Sequence, residues 1–206
     1  MDVGGVSDEA DYTDITVFDR YWMMDGGIPE VVAEWHGHID HDKGAWKAVQ
    51  MATFYADEGD AMVVIESNTL ETEGTEGNNF EYILDEIAGH YSNLYCRTPA
   101  DQIRQGAPAK WGFHTNTSTK PMVISHQAKA IRDSLYIERC EEAVDEHDTF
   151  EIKEDGKTMG AVEGMHDDRL MTRAIGVWIC YRIGLPFAVN TPIATPTRKV
   201  ISEATI

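Results

Sequence analysis

The chain has 206 residues and a formal net charge of −19, with the apolar and aromatic content of a globular protein. That length fits one domain with a sizeable core. Its apolar runs are far too short to span a bilayer, and no charged-then-apolar leader opens it. Three scattered cysteines (Cys96, Cys140, Cys180) without a CxxC spacing predict reduced thiols and a cytoplasmic location rather than a disulfide framework. A surface this acidic repels nucleic acid at long range. The charge is uneven, however: Arg97 to Arg139 is net +4 and the remainder −23. Within that basic island, Arg104, Lys110, Lys120 and Lys129 are candidate DNA contacts.

Met1-Asp2-Val3-Gly4-Gly5 resembles the end of a strand and its exit turn with almost no strand before it, which points to a domain upstream. Asp14 to Met24 and Pro29 to Ile39 read as strands joined by the turn signal Asp25-Gly26-Gly27, an antiparallel hairpin. Asp42 to Asp57 has helical spacing, with Trp46, Val49 and Phe54, and Ala45, Ala48 and Ala52 between them, mostly on one face. Ala61 to Asn68 is a short apolar run that ends in Glu66 and polar residues, the pattern of a buried strand. Glu71 to Asn79 reads as a loop, Phe80 to His90 as a helix, and Asn93 to Arg97 as a short strand. Thr98 to Thr119 reads as irregular. Ser118 is the expected cap of a helix from Lys120 to Ser134. Glu154-Asp155-Gly156-Lys157 is a hairpin turn between Phe150–Lys153 and Met159–Val162. A last helix runs from Arg169 to Tyr181 and ends at Gly184-Leu185-Pro186. This order predicts an α/β fold: a mixed sheet of about five strands, helices on both faces, and a C-terminal β-hairpin insertion. Residues 1–185 form the domain and 186–206 a tail.

Three acidic positions stand out. Asp2 follows the first strand, Glu66 ends the fourth, and Asp167 and Asp168 open the last helix. In a sheet of this order the first and fourth strands are neighbours, and the last helix delivers its first turn to their ends. Carboxylates converging there repel one another unless they share a hard cation. All-oxygen ligation suits Mg²⁺ or Mn²⁺, and a pair of such ions clamps the attacking and leaving oxygens of a phosphodiester displacement.

Asp2-Val-Gly-Gly-Val-Ser, Val-Ile-Glu66-Ser-Asn-Thr and Gly164-Met-His-Asp167-Asp168-Arg-Leu-Met resemble the three acidic motifs of the nuclease domain of tailed-phage and prophage terminase large subunits. The resemblance covers nearly the whole chain. It implies an RNase H-like (RuvC/integrase-like) fold and an endonuclease that cuts concatemeric double-stranded DNA with two Mg²⁺ or Mn²⁺ ions. It implies Asp2, Glu66 and either Asp167 or Asp168 as catalytic metal ligands. His166 is an accessory candidate as proton shuttle or phosphate contact, and Asn68 and Ser67 as groups that orient Glu66. The implied partners are an ATPase domain, the small terminase subunit and the portal protein, in the bacterial host cytoplasm. The sequence departs from the family in two ways: the strand before Asp2 is nearly missing, and no GxxxxGK[ST] motor motif occurs.

Two other enzyme readings compete. His36-Gly-His38-Ile-Asp40-His41 matches the HxHxDH zinc signature of the metallo-β-lactamase fold, whose members include hydrolases and nucleases. That fold needs more strands upstream than 35 residues supply, and its later ligands are missing. Asp2-Val-Gly-Gly also resembles the first phosphate loop of actin-like ATPases, but a second loop is lacking. A non-enzymatic alternative is a catalytically inactive RNase H-like docking module; the complete set of acids argues against it.

Overall fold

The computed structural model describes residues 1–4, 11–56, 61–67, 78–156 and 158–184. The expected tail, most of the Glu71–Asn79 loop and Asn68 lie outside the described residues. β1 (Thr13–Asp19) pairs antiparallel with β2 (Glu30–Gly37), the expected hairpin. β1 stops at Asp19 rather than Met24. The Asp19 carboxylate accepts the Tyr21 N–H at 2.8 Å and turns the chain into a 3₁₀ segment, Tyr21–Asp25. Gly26, at φ +79°, closes that segment in the left-handed conformation a glycine adopts without strain.

α1 (His41–Tyr55) and α2 (Asn78–Ala88) follow. The buried face of α1 is Gly44, Ala45, Ala48, Val49 and Ala52, whereas Trp46 and Phe54 are 50% and 79% exposed. Ala45, Ala48, Val49 and Ala52 of the expected face are buried, while its two aromatics are turned outward. α3 (Ala100–Arg104) interrupts the stretch expected to be irregular. α4 (Thr119–Arg132) starts where predicted, but Ser118 does not cap it with its side chain. Asn116 takes that place: its side-chain oxygen accepts the N–H groups of Ser118 and Thr119 at 2.8 and 3.0 Å. α5 (Glu141–Asp148) precedes the expected hairpin of β3 (Phe150–Ile152) and β4 (Met159–Ala161). α6 (Asp168–Arg182) ends the described chain. None of these helices is long and apolar enough to cross a membrane.

The described residues form two two-stranded sheets, not a five-stranded one. Other segments are joined by isolated bridges, of which Asp2–Asp14 and Glu30–Ile137 reach the hairpin. Asp2 bridges Asp14 of β1, Val63 bridges Leu94, and Glu66 bridges Phe113. Met1 joins the second segment too: its amine donates to the Val64 carbonyl at 2.8 Å, and its carbonyl accepts the Glu66 N–H at 2.9 Å. Each segment makes too few rungs to extend a ladder, yet their alignment places Met1–Val3 between β1 and Ala61–Ser67.

Side chains alternate across these segments with period two. Val3, Ile15, Val63 and Ile65 join α1 and α2 in one core. Val64 packs instead against the second core, built by Phe113, Val123 of α4 and Leu170, Met171, Ala174, Ile175 and Ile179 of α6. The alternation sends Asp2, Asp14 and Glu66 toward this second layer.

Candidate functional site

Asp2 and Glu66 are neighbours because Met1 hydrogen-bonds along the Glu66 segment. Burial pushes the Asp2 carboxyl well above the usual carboxylate range, and the negative charges of Glu66 and Asp168 push it further. Burial also raises Glu66, against the Thr115 hydroxyl, the contact with Asp2, the Met1 ammonium and Lys120. The Oε2 atom of Glu66 is buried with no hydrogen-bond partner. An orphaned carboxylate oxygen in such a place is costly unless a cation or a proton meets it.

Asp168 opens α6 and is only 4% exposed. Its Oδ2 accepts the Tyr12 N–H at 3.3 Å, and His166 Nδ1 lies 3.8 Å away. Burial first, then the charge of Asp11, pushes this carboxyl up to about 7, with Glu146 adding and Tyr12 N–H and His36 opposing. Asp167 turns elsewhere. Its Oδ2 accepts from Lys120 Nζ at 3.2 Å, and Lys120 also lies over the Phe150 ring. Asp167 stands just before the helix with non-helical backbone, at φ −128° and ψ 16°, and pairs with Lys120, whereas Asp168 acts electrostatically on Asp2. His166 is exposed and meets the Tyr12 ring edge-on.

The carboxylate chemistry fits a hard divalent cation at the Asp2–Glu66 pair: oxygen-only donors, raised affinity for positive charge, and one oxygen without a partner. Among the described residues, no three His, Cys, Asp or Glu side chains are gathered tightly enough to hold one ion. Asp168 stands within electrostatic reach of the pair without completing it.

The HxHxDH residues do not converge. His36 faces Asp14 at 3.5 Å, and His38 stacks on Tyr12 at 4.2 Å between centroids. Asp40 is exposed and pairs with Lys43, while His41 Nε2 lies 3.3 Å from the Gly4 carbonyl. Their segment leaves β2 at Gly37 and enters α1 at His41, which spreads them over two elements. Of the basic candidates, Arg104, Lys110 and Lys129 are exposed, whereas Lys120 is engaged by Asp167. An open cleft of about 390 Å³ lies beside Asp168, with Tyr12, His36, Glu146, His166 and Arg169 among its walls. A larger cavity, about 450 Å³, is walled by Met51, Ala52, Ile175 and Ile179 and carries no carboxylate.

No family model matches the chain, and no curated protein matches it in sequence. In structure it is similar to the large terminase nuclease from thermophilic phage G20c, solved with bound magnesium. The likeness covers 85% of this chain and 78% of that one, at 18% identity and a TM-score of 0.53. The fold is shared with a terminase nuclease. At this identity the likeness concerns the fold alone.

Within this fold lies a second charged cluster that the motifs did not reveal. Arg173 of α6 is wholly buried and meets Asp14 of β1, Glu34 of β2 and Glu138 at 3.3, 2.8 and 3.1 Å. Burial would raise the Asp14 carboxyl, but His36, Arg173, Thr172 and Thr16 hold it down to about 2. The only sequence signal for this cluster is a charged residue at an inward position of β1, an acid where an apolar residue is ordinary.

Proposed function

We propose that this chain is an RNase H-like, divalent-metal-dependent endonuclease domain that hydrolyses phosphodiester bonds of double-stranded DNA. The observation that carries the reading is the under-neutralised set of half-buried Asp2 and buried Glu66 and Asp168, supported by a fold shared with a magnesium-bound terminase nuclease. Asp2, Glu66 and Asp168 would hold two Mg²⁺ or Mn²⁺ ions; bound there, the ions supply an activated water and neutralise charge developing on the phosphate. Asp2 and Glu66 give up the protons that burial favours when a cation enters. The Tyr12 N–H keeps Asp168 Oδ2 oriented. Lys120 holds Asp167 aside and lends positive charge near Glu66. Arg104, Lys110 and Lys129 offer exposed phosphate contacts on an otherwise acidic protein.

In this reading the domain, residues 1–185 followed by a tail at 186–206, works in phage or prophage DNA packaging inside the host cytoplasm. An ATPase domain, a small terminase subunit and a portal protein would be its partners. Weak binding of DNA by the isolated acidic domain is then no defect, since the partners retain the duplex.

The test is nicking and linearisation of supercoiled plasmid by purified protein with Mg²⁺, Mn²⁺, Zn²⁺ or EDTA. The expected outcome is Mn²⁺- or Mg²⁺-dependent cutting that falls to background in Glu66→Gln, a loss of at least about 10²–10³-fold. Undiminished cutting by Glu66→Gln, or zinc bound through His36, His38 and His41, would overturn the reading.

A further inference from the structure

We infer that Asp14, clamped by Thr172 and Arg173, is a positioning residue that sets the separation of Asp2 and Asp168. The inference rests on the nuclease reading above and assigns a role to side chains that the reading does not use.

Asp14 belongs to both sides of the site at once. Its backbone makes two hydrogen bonds with Asp2: Asp2 N–H to the Asp14 carbonyl at 2.8 Å and Asp14 N–H to the Asp2 carbonyl at 3.1 Å. Its side chain reaches α6. Oδ2 accepts from the Thr172 hydroxyl, from the Thr16 hydroxyl at 2.7 Å and from Arg173 Nη1 at 3.3 Å. Oδ1 faces His36 Nδ1 at 3.5 Å. Oδ2 is engaged by all three hydrogen bonds and Arg173 supplies the countercharge, while Oδ1 has no hydrogen bond among the described residues; through Oδ2 the carboxylate serves as an anchor.

Thr172 stands four residues after Asp168, one turn along the same helical face. Fixing Thr172 against Asp14 therefore fixes Asp168 against Asp2. A second tie runs in parallel, from the Tyr12 N–H to Asp168 Oδ2. Arg173 completes the anchor by reaching Glu34 on β2 and Glu138 with the same guanidinium.

The clamp has work to do before any cation arrives. Asp2, Glu66 and Asp168 carry like charge when ionised and would push α6 away from the Asp2 segment. Hydrogen bonds to a buried carboxylate are among the stronger restraints available to oppose that push. A site held open at the correct spacing binds a cation without first having to rebuild itself.

The test uses the whole chain with Thr172→Val, Thr172→Ser and Asp14→Asn. Folding is checked by circular dichroism and melting, Mn²⁺ affinity by titration calorimetry, and plasmid cleavage by kcat and KM. For folded Thr172→Val and Asp14→Asn, Mn²⁺ affinity and kcat are each expected to fall about 10–100-fold, as for groups that orient a metal ligand, with KM for DNA unchanged. Thr172→Ser is expected to restore both, since it keeps the hydroxyl. Folded variants that melt lower yet bind Mn²⁺ and turn over as the parent does would overturn the inference and leave the nuclease reading intact. If Thr172→Val does not fold, Asp14→Asn and Thr172→Ser decide by the same measurements. A parent protein that binds no Mn²⁺ and cuts no DNA would overturn the nuclease reading itself, and this inference with it.

Discussion

Two carboxylate clusters lie on the same side of the same strands, and they differ in one ingredient. Around Arg173, three carboxylates share a buried guanidinium, and Asp14 is held down to about 2. Around Glu66, Asp2 is a neighbouring carboxylate and Asp168 stands within electrostatic reach, the Met1 ammonium and Lys120 offset Glu66 only in part, and all three carboxyls are pushed up. Burial acts in the same direction on both sets. The supply of positive charge reverses the outcome in one of them. A carboxylate cluster completed by its own protein is a structural joint; one left incomplete is a place that takes up cations.

The largest effect on stability should come from removing the shared cation. Arg173→Met removes the guanidinium from Asp14 and Glu138 and leaves Glu34 with Arg169 alone, and denaturant unfolding should report a loss of about 3–5 kcal/mol. Glu66→Gln should do the reverse in metal-free protein, since it removes one of the mutually repelling charges. A gain on the order of 1 kcal/mol is expected, read as a melting temperature roughly 2–4 °C higher. A large loss in Glu66→Gln would erase the distinction between the clusters.

The pH dependence separates them next. The Asp168 carboxyl binds its proton more tightly in the folded chain, at about 7 against 3.8 for a free aspartate side chain. Between those values the folded state holds a proton that the unfolded state has released. Metal-free protein should therefore lose stability as pH rises from about 4 to about 7. Asp14 has the opposite sign: lowered from 3.8 to about 2, it contributes stability above the upper value and loses it as pH falls through the lower one. Melting curves from pH 2 to pH 8, with and without Mn²⁺, check both; added Mn²⁺ should abolish the loss near neutrality and leave the acid limb unchanged.

The smallest effect concerns the basic island. Lys110→Glu should slow cutting of long duplex DNA by about twofold to tenfold at moderate salt, with Mn²⁺ affinity unchanged in calorimetry. An unaltered cutting rate would remove Lys110 from the DNA path.

Part of the site could be read along the chain. Glu66 ends an apolar run, and period two sends it to the opposite face from Ile65. The Asp2 segment was harder, because only Met1 stands before it. Its place between β1 and Ala61–Ser67 comes from hydrogen bonds of Met1 and Asp2 to residues far along the chain. The fold class was legible as mixed α/β, whereas a continuous five-stranded sheet was not found among the described residues. Spacing misled at the histidines, since HxHxDH spans the exit of β2 and the start of α1. At α1 spacing found Ala45, Ala48, Val49 and Ala52 on the buried face but wrongly added Trp46 and Phe54 to it.

By itself the sequence determined which residues had to be strand ends and helix starts, and so which carboxylates were available to meet. Local chemistry suffices for that: apolar alternation, turn residues and the 3.6-residue period act over a few neighbours. Only the tertiary structure showed Asp167 paired with Lys120 and Asp168 within electrostatic reach of Asp2. Only the tertiary structure showed that Asp14 and Arg173, 159 residues apart, share a buried ion pair. Contacts at that separation arise from packing of whole elements, and no short window of sequence contains both partners.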